Sequence, residues 1–571
     1  MRQHDKIQPI ARALLTARAP TWPKPVQSYG RLFSPPGKPL SSRRTANLPR
    51  WKGLPTLSSA CRGCLAQGQD TEALMEGRFS FLHREISFPG EIDWSPPGTG
   101  RLWRHHLQYL DWALALALEG NPGCLTVLNE RLDEWLMHNP QGWSDGWEPD
   151  PLSVRIVNLA YMLSLPGAIS SRRAGMLHAA LAVQARALTM GIDTALQGNQ
   201  LIKNGKALLV AGLAFTGEEA EDWFRRGLAL LEREMEIQVH PDGGHADRSA
   251  MYQIRVFLDY LESLSLLEST GRHIPAVWIK RLNSMAVCLE ALHHPDGLPA
   301  LLGDTSLAGL PPKRQVLAMA RELGLRPKLL GGCATREFPD VAYVMGRDLR
   351  HGNYLIVDSG AHGDAIEAAH HHCQAFSYEL SLEGRRLVTD TGIGSYEAGL
   401  DRARGRSTAA HNTISWCGRE QAEFWDAFRI GRRAQILDRG VHETANGTLR
   451  FEGRMKGFYP GPDRGCWRRR LWWTPAGKLE VTDTWLSPRP AQGVVSNVHF
   501  APGLNLADER TGKWGIHITN GPRIATLHIL EGEGALRKSP YYPSFGETYE
   551  RDCLEIALEA DTARYQISSG P

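Results

Sequence analysis

The stretch AHHHCQAFSYELSLEGRRLVTDTGIGSY, residues 369–396, decides the fold of the second half of this chain. Within it, FSYELSL and RRLVTDTG are short runs of β-forming residues separated by a glycine-containing break. Such runs are typical of neighbouring strands in an antiparallel sheet. Similar runs, broken by Gly, Pro, Asn and Asp, continue from about residue 332 to the C-terminus. The pattern predicts an antiparallel β-sandwich.

Upstream of this half, apolar residues recur at spacings of three and four, which predicts successive helices. The segments are LQYLDWALALALEG, LSVRIVNLAYMLSL, AGMLHAALAVQARALTMG, KALLVAGLAFTG, WFRRGLALLEREMEI and YQIRVFLDYLESLSLL. Short connections such as NPG and TGEEAED make neighbouring helices antiparallel and predict stacked helical hairpins. The expected α+β multidomain chain therefore has an irregular N-terminal arm at 1–95, rich in Pro, Arg and Gly, a helical domain at 96–330 and a β-sandwich at 331–571.

The length and net charge of the chain limit the number of domains and the classes of partner. A chain of 571 residues predicts two large domains rather than one core. The net charge of +3, from 65 basic and 62 acidic residues, argues against a nucleic-acid partner but allows a local cationic cleft for an acidic ligand. We find no run of eighteen apolar residues and no apolar segment of a signal peptide near the N-terminus. We therefore expect no membrane-spanning segment.

The cysteines suggest no cofactor site. There are nine, an odd number, and Cys61 and Cys64 form a lone CxxC pair. No second pair at zinc-ribbon spacing accompanies it, so we assign the pair no role.

Local motifs narrow the function. The stretch at 369–396, followed by RARGRSTAAHNTISW at 402–416, resembles the signature of the heparinase II/III family: an HxH pair opens a strand, an Asp ends the next, and R(S/T)xAHNT follows. Upstream, the resemblance extends in family order through DWSPPGTGRLWRHHLQYLDW, WEPDPLSVRIVN, GNQLIKNGKALLVAGLAF and HPDGGHADRSAMYQ. It covers about residues 92–440. It implies an (α/α) toroid followed by a β-sandwich, and a polysaccharide lyase that cleaves an acidic, uronate-containing polymer by β-elimination to leave a 4,5-unsaturated uronate end.

This elimination requires a base at C5, an acid at the departing O4 and a polar group that offsets the uronate carboxylate. By resemblance, Asn199 is the carboxylate-neutralising amide, Tyr252 the catalytic tyrosine and His370, first of the HxH pair, the catalytic histidine. Asn204 remains an alternative to Asn199. In the family, Tyr serves as both base and acid when the C5 proton and O4 leave from one side, and His is the base when they leave from opposite sides.

The resemblance also implies a zinc ion beside the cleft, with no organic cofactor. His372, Asp390 and His411 match the family's metal positions, and two imidazoles with a carboxylate suit tetrahedral zinc. A zinc ion there would be structural, because the elimination needs no metal hydroxide. Where the family usually has HxHAD, this chain has Gln374 in place of the acid, which alters the surroundings of the metal ligands.

Groove-lining residues are expected in the helical domain, where aromatic rings stack on sugars and Arg pairs with carboxylate or sulfate. We expect the cleft to be lined by Trp147, Glu148, Arg155, Asn158, His106, Asn204 and Arg404, with Trp103, His105 and Arg406 as further candidates.

Two other classes of function remain open. A toroidal glycoside hydrolase would use a pair of carboxyl groups, and the candidates are Glu148, Asp242, Asp247 and Asp304. A non-catalytic protein of this fold would bind acidic glycans without turnover. The family resemblance suggests the cell envelope or periplasm and is compatible with a homodimer, whereas the N-terminus itself shows no export signal.

Overall fold

The computed structural model describes residues 48–56, 58–65, 68–194, 198–360, 368–461, 464–488, 490–509, 514–521 and 523–570. About half of the predicted N-terminal arm, residues 1–47, lies outside these ranges. The helices are α1 (Ser59–Cys64), α2 (Thr71–Met75), α3 (Arg101–Tyr109), α4 (Asp111–Glu119), α5 (Pro122–His138), α6 (Pro149–Ser164), α7 (Ser171–Gly191), α8 (Asn199–Ala214), α9 (Glu218–Gln238), α10 (Ala250–Ser269), α11 (Ala276–Ala291), α12 (Lys313–Glu322) and α13 (Leu400–Arg406).

The helical half follows the apolar spacing of the sequence. Helix α6 packs against α7 and α8, and α8 packs in turn against α9 and α10. Buried Leu, Ala and Trp side chains of these helices form one continuous core. Among the described residues, none of the helices combines the length and apolar character that crossing a membrane requires.

Part of the predicted arm is described and packs on the helical half. Strand β1 (Arg50–Trp51) pairs with β4 (Phe215–Thr216), and β2 (Arg78–Phe81) forms a hairpin with β3 (Arg84–Ser87). The Phe81 ring meets the Trp103 ring at 5.2 Å between centroids. This segment therefore extends the helical core.

The second half is built from antiparallel sheets. Its strands are β5 (Cys333–Phe338), β6 (Tyr343–Asp348), β7 (Asn353–Asp358), β8 (Tyr378–Leu382), β9 (Arg385–Val388), β10 (Ile414–Trp416), β11 (Ala422–Trp425), β12 (Arg429–Arg433), β13 (Gln435–Glu443), β14 (Leu449–Lys456), β15 (Cys466–Thr474), β16 (Lys478–Trp485), β17 (Val494–His499), β18 (Asn505–Glu509), β19 (Gly515–Thr519), β20 (Arg523–Glu531), β21 (Glu533–Tyr541), β22 (Tyr549–Ala557) and β23 (Thr562–Ser569).

Three sheets carry the sandwich. They are ordered β5-β6-β7-β8-β9, β13-β14-β15-β16-β23-β20-β19-β18 and β10-β17-β22-β21. Their inner faces share one apolar core. Gly346 on β6 allows a close approach between two of the sheets, because a Cβ there would lie 2.7 Å from the ring of Trp473 on β15. The predicted fold class, a helical toroid followed by a β-sandwich, is confirmed.

The two halves share a buried interface. Side chains from α10, α11 and the loop after α11, including Ala250, Leu292 and Leu302, pack against Tyr343 and Ile356 of the first sheet. This packing brings the N-terminal end of α10 next to the strand ends of the sandwich. The candidate site lies at that junction.

Candidate active site

Tyr252 and His370 meet at the junction of the two halves. Tyr252 is the third residue of α10, whose N-cap is Ser249, and His370 ends a short 3₁₀ turn, Ala368–His370, that precedes β8. Their rings lie 4.3 Å apart between centroids. The phenol is 8% exposed, and burial, with the charge of Asp247, raises its pKa. A buried phenol with a raised pKa is a proton donor at neutral pH.

Asn199 reaches the same group of residues through Asp247. It is the first residue of α8, and its amide Nδ2 donates to Asp247 Oδ2 at 2.8 Å. The charge of Asp247 also acts on the Tyr252 phenol, so the Asn199 amide and the phenol share one charged neighbour. An Asn amide carries two N–H donors, so one remains for a ligand.

Asp304 is the centre of the charge network behind His370. Its Oδ2 lies 2.7 Å from His370 Nδ1, and its Oδ1 lies 2.8 Å from His372 Nε2. The buried guanidinium of Arg402 pairs with both oxygens. Although burial opposes ionisation, Arg402 and the two imidazoles hold the pKa of Asp304 well below its usual value. The bond at Nδ1 leaves His370 Nε2 as the nitrogen that can accept a substrate proton.

The backbone before Asp304 explains how the carboxylate reaches this position. Gly303 has a φ of +60°, and a Cβ there would lie 2.9 Å from the carbonyl oxygen of Arg248 and 3.2 Å from that of His370. Glycine adopts this left-handed conformation without strain. The Asp304 N–H donates to the His370 carbonyl at 3.2 Å. The loop is therefore fixed directly against the histidine segment.

Gln374 has a defined role where the family usually has an acid. Its Oε1 accepts from the Gly303 N–H at 2.8 Å, and its Nε2 donates to Asp358 Oδ2 at 2.6 Å. Asp358 also pairs with Arg248. A carboxylate at 374 could not donate to Asp358, so the amide is the group that satisfies both partners.

The three metal candidates lie close together in the sandwich. His411 Nδ1 bonds to Asp390 Oδ1 at 2.6 Å, and the rings of His372 and His411 lie 5.3 Å apart. Burial opposes ionisation of Asp390, but His411 keeps its pKa at about 2. Within the described ranges, no group of three or more His, Cys, Asp or Glu side chains is arranged to hold a metal ion. The predicted zinc trio is thus not assembled as three ligands, because Asp390 is bonded to His411 instead.

Two imidazole nitrogens in this cluster are nevertheless without a partner. In the described part of the chain, His372 Nδ1 and His411 Nε2 are buried and make no hydrogen bond. The opposite nitrogen of each ring is held by Asp304 or Asp390. Metal-bound imidazoles are normally held in this way through their second nitrogen. The donor set therefore fits an ion held by two imidazoles.

Several predicted groove residues are buried in helix packing. Arg155 is fully buried, and its guanidinium donates to Gln184 Oε1 at 2.6 Å and to the Gln108 carbonyl at 3.0 Å. Asn158 donates to the Tyr109 carbonyl at 2.9 Å. Asn204 is 2% exposed and accepts from Ser153 Oγ at 2.7 Å. The structure places these side chains between helices rather than on a groove wall.

The other groove candidates have mixed positions. Trp147 is buried beneath the guanidinium of Arg155, at 5.7 Å, and Glu148 pairs with Arg101. His106 is partly buried and stacks on Phe81 at 5.6 Å. Burial, with a contribution from Arg255, lowers its pKa to about 3, so its ring is neutral at neutral pH.

The four remaining groove candidates lie on α13 and α3, and one of them, Trp103 on α3, is buried. Arg404 is exposed on α13. Arg406 is buried, and its Nη1 donates to the Ala427 carbonyl at 2.8 Å. His105 Nε2 lies 3.3 Å from Glu148 Oε2. Of these four residues, only Arg404 is exposed.

The carboxyl groups that a hydrolase mechanism would use in this chain are bonded to other partners. Asp242 accepts backbone N–H groups of Gly244, Asp340 and Val341, which makes it a turn residue. Asp247 binds Asn199, and Asp304 is ion-paired. A hydrolase needs one protonated carboxyl group with a raised pKa, and the network around Asp304 has the opposite effect.

Tyr396 and the partners of His370 were not recognised from the sequence. Tyr396 lies in the loop between β9 and α13, and its Oη lies 2.8 Å from Tyr252 Oη. Asp304 was considered only as a hydrolase carboxylate. Tyr396 stands in the quoted stretch 369–396, but no periodicity distinguishes a loop tyrosine that reaches α10.

An α-helical toroid joined to a β-sandwich, with Asn, Tyr and His side chains at the junction, defines the class of this protein. The domain family described as Heparinase II/III N-terminus matches residues 173–314, and that described as Heparinase II/III-like, C-terminal matches residues 332–567. Together they cover about two thirds of the chain. The chain belongs to the heparinase II/III family, as the sequence motifs predicted.

Individual relatives agree with this assignment. A heparin-sulfate lyase of Bacteroides stercoris is 26% identical over 40% of this chain and 36% of its own length. A heparin-sulfate lyase of Pedobacter heparinus is 21% identical over 57% of this chain and 55% of its own length. This chain therefore spans about half, or less, of the length of each of these curated relatives. The crystal structure of a heparinase III shares the fold, with a TM-score of 0.70 and 18% identity over 90% of this chain and 85% of that one.

Proposed function

We propose that this protein is a polysaccharide lyase that cleaves a uronate-containing glycosaminoglycan by β-elimination. The observation that carries the proposal is the contact between Tyr252 and His370, 4.3 Å between ring centroids. The Asn199 amide binds Asp247, whose charge acts on Tyr252. These groups supply an acid, a base and a donor to a carboxylate. The names of the two relatives, both heparin-sulfate lyases, support heparan-type chains as the substrate class.

Each side chain has one task in this reaction. The Asn199 amide donates to the uronate carboxylate and stabilises the negative charge that develops as the C5 proton leaves. The electron pair of the C5–H bond first delocalises onto the carboxylate. It forms the C4–C5 double bond as the C4–O4 bond breaks, and O4 leaves with its electron pair and takes a proton.

The structure favours His370 as base and Tyr252 as acid. The Asp304 carboxylate holds His370 at Nδ1, which directs Nε2 toward a ligand, whereas the raised pKa of Tyr252 keeps its proton in the resting state. This division suits a uronate whose C5 proton and O4 leave from opposite sides. When both leave from the same side, Tyr252 must first lose its own proton to solvent; the phenolate then takes the C5 proton and gives it to O4.

The product distinguishes this proposal from its alternatives. The full chain is incubated with heparan sulfate, and with alginate as a uronate polymer without sulfate. A lyase generates ultraviolet absorbance from the new double bond, conjugated with the carboxylate. We expect Tyr252→Phe and His370→Ala each to lower this rate by about 100-fold or more.

The matched control is Tyr542→Phe, because the Tyr542 phenol contacts Asp401 at 3.2 Å and not the Tyr252–His370 pair. This variant should retain wild-type turnover. New reducing ends without ultraviolet absorbance would instead identify a hydrolase. Retention of labelled heparan sulfate without any turnover would identify a glycan-binding protein.

We also propose that His372 and His411 hold a zinc ion, with Asp390 beside it. The support is the pair of buried nitrogens, His372 Nδ1 and His411 Nε2, that lack hydrogen bonds among the described residues. Bound there, zinc would supply structural crosslinking between the segments that precede β8 and β10. Elemental analysis should find about one zinc per chain.

The ligand variant is His411→Ala and its control is the exposed His351→Ala. The first should lose the zinc and lower the Tm, because a structural metal contributes binding energy to folding. The second should keep both. A wild-type protein purified without metal, whose Tm does not change with added zinc or chelator, would refute the zinc proposal.

A further inference from the structure

Tyr396 joins the β half of the protein to the catalytic tyrosine. Its Oη lies 2.8 Å from Tyr252 Oη, across 144 residues of sequence. Its ring packs edge-on against Phe428 and Phe545, at 5.2 and 4.7 Å between centroids. The guanidinium of Arg402 lies 5.3 Å from the ring centroid. These contacts fix the orientation of the Tyr396 ring and hold its phenol against Tyr252.

The hydrogen bond between the two phenols changes character during turnover. While both are protonated, either oxygen can donate. Once Tyr252 has given up its proton, only Tyr396 has an O–H left to donate. A hydrogen bond to a charged oxygen is about twice as strong as one between neutral groups, and more so in apolar surroundings. Tyr252 is in such surroundings, packed with Met251, Ile393 and Phe545.

We infer that Tyr396 is a positioning residue that stabilises the ionised form of Tyr252 during the elimination. This inference rests on the proposed lyase function. It applies whether Tyr252 acts only as the acid or as both base and acid, because each path passes through its phenolate. It also assigns the β half a direct part in a step performed by a helix of the toroid.

The surrounding charges show why such a donor is needed. The groups that face Tyr252 from the elements packed around it are His370, Tyr396, Asp247, Asp304 and, on its own helix, Arg255. The two carboxylates disfavour a phenolate, whereas Arg255 and the Tyr396 hydrogen bond favour it. Burial, together with the phenol of Tyr252, raises the pKa of Tyr396.

The test is the Tyr396→Phe variant of the full chain, assayed on heparan sulfate. Phenylalanine keeps the ring and its contacts with Phe428 and Phe545, and removes only the donor. We expect kcat to fall by about 10- to 100-fold, the value of one hydrogen bond to a charged group. We expect KM to change less than about threefold, because a transition-state interaction is lost. Because the phenolate of Tyr252 is destabilised, the limb of the kcat–pH profile that Tyr252 controls should move to higher pH: the falling limb if Tyr252 is only the acid, and the rising limb if it is also the base.

The control is again Tyr542→Phe, which removes a phenol from the neighbouring segment and should change neither parameter. An unchanged kcat in Tyr396→Phe would overturn the inference, and so would a raised KM with unchanged kcat, since Tyr396 would then bind the sugar. A fall in kcat with an unmoved pH profile would mean that its role is only structural. If the wild-type chain itself yields no unsaturated product, the proposed lyase function fails instead.

Discussion

Asp304 Oδ2 lies 2.7 Å from His370 Nδ1, so a carboxylate of the helical half orients an imidazole of the β half. The same carboxylate bonds to His372 Nε2 and pairs with Arg402. One buried group therefore connects the candidate base with the candidate metal position. Because each half supplies one partner, the site exists only when the two halves are docked.

Replacing Asp304 should affect both turnover and stability. In Asp304→Asn the buried Arg402 loses its counter-charge, and we expect the free energy of unfolding to fall by about 3–5 kcal/mol. The rate per folded molecule should fall by about 10- to 100-fold, since His370 loses the acceptor at Nδ1. Urea denaturation and the ultraviolet assay measure the two effects. The exposed Asp296, bonded to Arg386 at 2.7 Å, provides the control Asp296→Asn. A fully active Asp304→Asn variant would contradict the proposed orientation of His370.

The two asparagines of α8 should separate catalysis from stability. Asn199→Ala should lower kcat/KM by about 100-fold and leave the free energy of unfolding within about 0.5 kcal/mol. Asn204→Ala should cost about 1–3 kcal/mol, because it leaves the buried Ser153 hydroxyl without its acceptor, while the folded enzyme keeps its rate. The comparison needs steady-state kinetics and denaturant melts on both variants. The reverse pattern would make Asn204 the neutralising amide.

Buried neutral histidines should make the protein less stable in mild acid. Burial lowers the pKa of His293 to about 3 and of His245 to about 4. The unfolded chain, with ordinary values near 6.5, binds these protons first. Stability is therefore full above about pH 6.5 and falls as the pH drops toward 4. Measuring the free energy of unfolding at several pH values in this range gives its slope against pH.

His293 tests this slope far from the catalytic groups. It is 5% exposed, and its Nδ1 lies 2.6 Å from the Leu289 carbonyl, which a glutamine amide can also reach. Near pH 5, His293→Gln should reduce the slope by about 1.4 kcal/mol per pH unit. The exposed His138→Gln serves as the comparison. Identical slopes for wild type and His293→Gln would show that this ring does not carry the effect.

The ion pairs of two neighbouring arginines on strand β15 should contribute very differently to the free energy of unfolding. Arg469 is fully buried and pairs with Asp483 at 2.7 Å, whereas Arg470 is exposed and pairs with Glu452 at 3.0 Å. Asp483→Asn should lower the free energy of unfolding by about 3–5 kcal/mol, because it leaves a buried charge unpaired. Glu452→Gln should change it by less than about 1 kcal/mol. Equal effects in guanidinium melts would contradict the assigned burial.

Local pattern in the sequence was sufficient for the fold. The spacing of three and four in KALLVAGLAF places apolar side chains on the faces that α8 buries, and the alternation in FSYELSL yields β8. These periods follow from helix and strand geometry, so they are visible without knowledge of any partner. The family motifs likewise predicted that Tyr252 and His370 act together, and the structure brings their rings into contact.

The sequence pattern could not predict which polar side chains are exposed or which residues they contact. Arg155 and Asn158 stand in a motif that resembles groove residues, yet neighbouring helices cover them, and a single helix does not reveal which of its faces will be covered. Tyr396 and Asp304 lie 144 and 66 residues from the side chains that they bind. Periodicity determines which side chains point inward within an element. Only the docking of two folded halves, driven by burial of the apolar surface between them, decides which polar groups meet there.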